Sequence, residues 1–273
     1  MKNAICAMFA LFVALVLLGC AGGGGSKDPK AVMEEAFVKE KNLNSAEATY
    51  NFVMRVSGAG QEITMNGIMK MYQKAKSARV DMNFEGTGGG MEALEGIDMR
   101  VYVKDSAQYL CMKGGAAGSD WMCVEVSAAT ETPSVERYSE LSKKLLDSGA
   151  LSFEGGVQSK TVAGRACDEI KAKIDFSKMD FSEFDVGSTG ADAKAIKEAN
   201  LKSCFDSEVG SALSIEMDFA MDLSKIEGSE QTGELTMRMS MSASEFKPNV
   251  AVEDSVFELP AEPTEYPSGG AYA

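Results

Sequence analysis

The sequence predicts an α+β domain: one large antiparallel sheet with an apolar and a polar face, and helices laid against the apolar face. Three observations carry this. From Glu47 onward, long stretches alternate apolar and polar residues with period two. Turn signals rich in Gly, Asp and Ser separate these runs, so each strand folds back on the one before. Two other segments, opening at Asp28 and at Thr132, show helical spacing and cap residues instead.

In the first helix Asp28 serves as cap and Pro29 suits the first turn. Val32, Met33, Ala36 and Phe37 share one face, and Asn42 to Asn44 end it. The strands follow. Ala48, Tyr50, Phe52, Met54 and Val56 alternate with Thr49, Asn51, Val53 and Arg55. Past Gly58-Ala59-Gly60, a run places Ile63, Met65, Gly67, Met69 and Met71 on one side, with Ile68 out of pattern on the other. Ala78, Val80, Met82 and Phe84 form the next strand, and Ile97, Met99, Val101 and Val103 the one after, alternating with Asp98, Arg100, Tyr102 and Lys104 on the polar side. This is a meander of half-buried antiparallel strands.

Residues 107–112 and 121–126 then form a hairpin. If Met112 pairs with Met122, Cys111 faces Cys123 within disulfide reach. Thr132-Pro133 opens the second helix, with Val135, Tyr138, Leu141, Leu145 and Leu146 as its stripe and Gly149 at its end. Strands resume over 153–163 and 167–174. Ala191 to Ala199 reads as a short helix. Leu201 to Asp206 is a strand, and Ile215, Met217, Phe219, Met221 and Leu223 mark another. The last long strand sets Leu235, Met237, Met239 and Met241 opposite Thr236, Arg238, Ser240 and Ser242. Phe257-Glu258-Leu259-Pro260 closes the domain, and residues 261–273 read as a loose tail.

The N-terminus is organised differently. Lys2 precedes an apolar stretch from Ala4 to Leu18, about 15 residues against the roughly 20 a spanning helix needs. Leu17-Leu18-Gly19-Cys20 ends it and resembles the lipobox of prokaryotic lipoproteins. Residues 1–19 are thus expected to be a lipoprotein signal peptide. Cys20 is the expected lipid attachment site, with palmitate as the natural acyl group. Residues 20–27 form a Gly-rich tether and 28–260 the folded domain. The predicted location is extracytoplasmic, anchored to a cell membrane.

Composition excludes several functions. The formal net charge is -14, which argues against nucleic acid and against a polybasic membrane patch. There is no His, which removes the commonest general base and most zinc sites. No G-x-S-x-G occurs, and the acidic stretch from Asp175 to Asp185 lacks calcium-loop spacing. Adjacent Asp168 and Glu169 point to opposite faces of a strand and make no catalytic pair. An enzyme is not expected, nor a cofactor or metal. Beyond Cys6 and Cys20, four Cys remain at 111, 123, 167 and 204. Outside the cytoplasm an even number favours disulfides, and four Cys allow three connectivities.

Methionine concentrates on the apolar face: Met54, Met65, Met69, Met71, Met82, Met99, Met217, Met221, Met237, Met239 and Met241. Met is flexible and polarizable and accepts varied apolar shapes. A sheet curved around this face could hold an acyl chain. A solid core under two helices has the same pattern.

The stretch from Val162 to Ile170, V-A-G-R-A-C-D-E-I, resembles a strand entry of the LolA/LolB lipoprotein-carrier superfamily, which includes LppX-type and RseB-type proteins. Cys204 to Leu213 resembles a hairpin of that group, and Asn249 to Pro260 its closing segment. The resemblance implies an open half-barrel that binds lipid on its concave face, with no shared catalytic residues. It also implies that the strands of Cys167 and Cys204 are neighbours, which makes Cys167–Cys204 the natural second disulfide. On this reading Met65, Met69, Met99, Met217, Met237 and Met239 line the ligand site. Partners are the membrane, through lipidated Cys20, and a lipid or acyl chain. The alternative is a non-enzymatic sensor or accessory protein with a filled core, acting through contacts with another envelope protein.

Overall fold

The computed structural model describes residues 27–58, 60–88, 96–104, 107–115, 118–125, 146–178, 195–225 and 233–265. The signal segment, Cys20, most of the tether and most of the second helix lie outside them.

Helix α1 runs Pro29–Lys41. Asp28 caps it by accepting from the Lys30 N–H, and Val32, Met33 and Ala36 are its buried residues. The strands are β1 Ser45–Gly58, β2 Gln61–Lys74, β3 Ser77–Thr87, β4 Asp98–Lys104, β5 Ala107–Lys113 and β6 Met122–Glu125. Then follow β7 Leu151–Phe153, β8 Gln158–Val162, β9 Arg165–Ile174, β10 Ile196–Asp206, β11 Ala212–Asp222, β12 Glu234–Pro248 and β13 Pro263–Glu265. Among the described residues all thirteen belong to one sheet, ordered β13-β6-β5-β4-β3-β2-β1-β12-β11-β10-β9-β7, with β8 also on β9. Two meanders stand back to back, and two long strands, β1 and β12, pair at the centre. Among the described residues every pairing is antiparallel except β13 on β6. Among the described residues, too, β13 and β7 stand at opposite ends and do not pair, so the sheet is open. This is the expected α+β open half-barrel.

The curl has local causes. Register shifts occur at Thr49/Tyr50 against β12, and at Ile196/Glu198 and Cys204/Phe205 against β11. Each places an extra residue on one strand, which bends it and deepens the right-handed twist. One apolar cluster then joins Val32 and Met33 of α1 to side chains from β3 through β12 to β9.

Two sequence expectations change. Residues 196–199 are strand, because β10 begins at Ile196 and pairs along β11. Pairing with a neighbour overrode the helical composition of A-K-A-I-K-E-A. Residues 263–265, expected within a loose tail, form β13 against Cys123–Glu125 of β6.

The polar face is not uniformly wet. Tyr102, expected on the solvent side of β4, has 0% exposure. With the Cys111–Cys123 disulfide it forms a second small core, onto which Tyr109, Trp121, Leu259 and Ala261 pack. The closing segment crosses this face. Lys74 Nζ donates to the Val252 carbonyl at 2.9 Å, and Arg79 Nη1 to the Val256 carbonyl at 3.0 Å. The Arg79 guanidinium lies over the rings of Tyr72 and Tyr102.

Candidate binding face

The apolar face is built from cross-strand rows, because side chains of one parity on neighbouring strands lie side by side. Register aligns Met65 of β2, Met54 of β1, Met239 of β12, Met217 of β11 and Leu201 of β10 in one row. A second row holds Met112 of β5, Met99 of β4, Met82 of β3, Met69 of β2 and Tyr50 of β1. Val56, Met237 and Phe219 form a third. Alternation along each strand thus becomes rows of thioethers across the sheet, with Phe52, Gly67 and Phe84 between the first two rows.

Five of the six Met residues picked out from the sequence sit inside this surface: Met65, Met69, Met217, Met237 and Met239 are 1–6% exposed. Met99 is half-buried at the flank and packs against the same cluster. The face is therefore closely packed in this conformation. One gap in the pattern has a purpose. Gly67 stands between Phe52 and Phe84 in register, and those rings meet edge to face at 6.0 Å. A Cβ at Gly67 would lie 2.4 Å from the Asn83 carbonyl oxygen.

Polar side chains hold the margin of the face. Lys27, just ahead of α1, forms an ion pair with Asp168, whose side chain is 3% exposed. Ser159 and Ser207 hydroxyls donate to the same carboxylate, and Lys39 Nζ donates to the Ser207 carbonyl at 3.0 Å. Arg165 grips Asp206 with two nitrogens. The Glu208 and Val209 N–H groups donate to Asp206 at 2.9 and 3.0 Å. Burial works against the Asp206 charge, but Arg165 and these amides outweigh it and hold the carboxyl below its usual range. Tyr50 Oη donates to the Ala212 carbonyl at 3.1 Å. Burial above all, then the Glu40 and Asp206 carboxylates, pushes its phenol well above the ordinary value, so it stays a donor.

Both disulfides form as expected. Cys111 lies directly opposite Cys123, with Met112 opposite Met122. Cys167–Cys204 joins β9 to β10. Asp168 and Glu169 do take opposite parities, yet both are buried: Glu169 pairs with Lys160 at 2.6 Å. Sequence reasoning assigned no role to Lys27, Arg165 or Asp206. The signal available for the last two was their place inside the V-A-G-R-A-C-D-E-I and C-F-D-S-E-V-G stretches.

No protein-family model matches the chain, and no curated protein matches it. Several solved structures align with the chain over most of its length. MucB, in a complex with MucA(peri), aligns at 12% identity and a TM-score of 0.39, over 83% of this chain and 58% of the MucB chain. An outer membrane lipoprotein-sorting protein domain from Vibrio parahaemolyticus aligns at 10% identity and a TM-score of 0.33, over 84% of this chain and 95% of that one. LprF from Mycobacterium bovis aligns at 10% identity and a TM-score of 0.35, over 87% of this chain and 100% of that one.

Proposed function

We propose that this protein is a membrane-anchored extracytoplasmic lipoprotein that takes up an apolar chain against its methionine-rich sheet face. The observation that carries the proposal is the pair of Met rows, each unbroken across four adjacent strands. A rigid core is usually built from branched side chains, whereas thioethers reshape around a guest. Two disulfides support a location outside the cytoplasm, and the Cys20 motif supports the anchor.

Helix α1 serves as the movable cover. It buries Val32, Met33 and Ala36, on the order of 5 kcal/mol of apolar contact. An acyl chain with about ten buried methylenes gains about 8 kcal/mol. The gross apolar gain of the chain thus exceeds that of the helix it displaces, and the difference works against the entropy lost on binding, while the free protein keeps its face covered. Two tests address the two halves. A labelled fatty acid attaches to the wild type and not to Cys20→Ala. Met69→Trp and Met239→Trp fill the face and abolish binding of a fluorescent fatty acid, with Met99→Trp at the flank as the variant least disturbing to the fold. Unchanged binding in all three folded variants would refute the assignment.

A second reading has its own observation. The 1–6% exposure of the central Met residues fits a filled core, and the protein would then act through contacts with another envelope protein. Helix α1 amides that stay protected when a fatty acid is added in excess would favour it.

A further inference from the structure

The polar face carries a second arrangement, at the centre of the sheet. Register sets Arg55 of β1 opposite Arg238 of β12 and, two residues on, Ser57 opposite Thr236. Asp218 of β11 stands on the far side of Arg238 and accepts from both Nε and Nη2, the latter at 3.2 Å. The Ser57 and Thr236 hydroxyls are 2.8 Å apart. These side chains line a cleft of about 470 Å³. Like charges directly opposite on paired strands repel. Arg79, Arg100, Arg165 and Arg238 each have a carboxylate partner. Arg55 has none among the described residues, although acids outnumber bases 41 to 27 in the chain. Its cross-strand neighbour is a second guanidinium instead.

We propose that Arg55, Arg238, Ser57 and Thr236 form a binding site for the oxyanion group, phosphate or carboxylate, of a small polar ligand. An oxyanion between the two guanidiniums turns a repulsive pair into two charge-assisted contacts, and a guanidinium fork matches its geometry. Ser57 and Thr236 share one hydroxyl–hydroxyl bond, and the Thr236 hydroxyl donates to the Ser57 carbonyl over a long 3.4 Å; an oxyanion in the cleft is the stronger acceptor and takes over that hydrogen. The same row continues to Glu62, opposite Ser57, and on the other side through Ala220 to Glu198. Both carboxylates line the cleft, one and two strand spacings from the hydroxyl pair, at about 4.8 Å per strand. They repel a polyanion and accept from an ammonium or hydroxyl group. The preferred ligand therefore carries an amine or hydroxyl beside its anion.

The site lies on the face opposite the methionine rows, so it stands or falls independently of acyl uptake. The experiment is a titration of the full-length protein, followed through backbone amide shifts, with inorganic phosphate, acetate and phosphoethanolamine as probes. Saturable shifts at residues 55, 57, 236 and 238 are expected, with phosphoethanolamine binding more tightly than phosphate. Arg55→Gln weakens binding about tenfold or more, and Arg55→Lys restores only part of it, because an ammonium supplies no fork. Arg55 is exposed, so both variants keep the fold. Ser57→Ala gives a smaller loss through the hydroxyl pair. A short-chain phosphatidylethanolamine below its micelle concentration separates the two sources of the group. Affinity equal to that of phosphoethanolamine identifies a lipid headgroup, and weaker affinity identifies a free metabolite. The proposal is overturned if no probe gives saturable shifts up to roughly 50 mM, far above the millimolar range of a weak site, or if Arg55→Gln binds as the wild type does.

Discussion

Removing the Cys167–Cys204 bridge should cost more stability than removing Cys111–Cys123, and the structure sets the difference. The bridges close loops of sequence separation 37 and 12. Loop-closure entropy then gives about 4 kcal/mol for the first and about 3 kcal/mol for the second at 25 °C. All four Cys are 0–1% exposed, so double substitution to Ala leaves similar voids at the two sites, and the void term largely cancels in the comparison. The larger loss also falls where β9 joins β10 inside the main core, and the smaller at the β5–β6 flank. Urea unfolding of the Cys167→Ala/Cys204→Ala and Cys111→Ala/Cys123→Ala proteins, each compared with wild type, reads both values. The expected gap is about 1 kcal/mol in favour of the longer loop. Equal losses, or a reversed order, would refute the reasoning from loop length.

Other perturbations follow from the same contacts. Gly67→Ala drives a methyl group against the Asn83 carbonyl and Phe84 and should cost about 1–3 kcal/mol by thermal melting; a neutral result would mean β2 and β3 can part freely there. Asp206→Asn removes a charge whose carboxyl sits below its usual range in the folded state. That contribution is complete above the unfolded carboxylate pKa of about 4 and is lost as pH falls through the lower folded value. The variant should lose stability at pH 7 and show a flatter acid limb than wild type; identical acid limbs would contradict the assignment. Asp168→Asn weakens the hold of Lys27 on the start of α1, so amide exchange over 32–37 should speed up roughly tenfold. Unchanged protection would show that the apolar contacts alone hold the helix.

The strands and the face they bury were largely legible, because period-two alternation is a local property and the pleat converts it directly into a face. The register of Cys111 on Cys123 was legible for the same reason: a short hairpin leaves few pairings. What covers each face was not. Tyr102 alternates as a solvent-side residue, yet a segment about 150 residues later in the chain lies across it. The margin of the apolar face depends on partners 141 residues apart, Lys27 with Asp168, and 41 apart, Arg165 with Asp206. Such pairs leave no periodic trace. The strand at Ile196–Ala199 was missed because its residues favour a helix and only pairing with β11 makes them extended. The Met rows illustrate the division: alternation put each Met on the apolar face, but only the pairing of β1 with β12 shows that Met65, Met54, Met239 and Met217 are contiguous.

In the proposed function the methionine face opens to an apolar guest. Native mass spectrometry of the wild-type protein taken from its own membranes tests it most directly. A non-covalent adduct of acyl-chain mass, released on organic extraction and absent from Met239→Trp, is the predicted result. A single unliganded mass that persists when fatty acid is supplied in excess would contradict it.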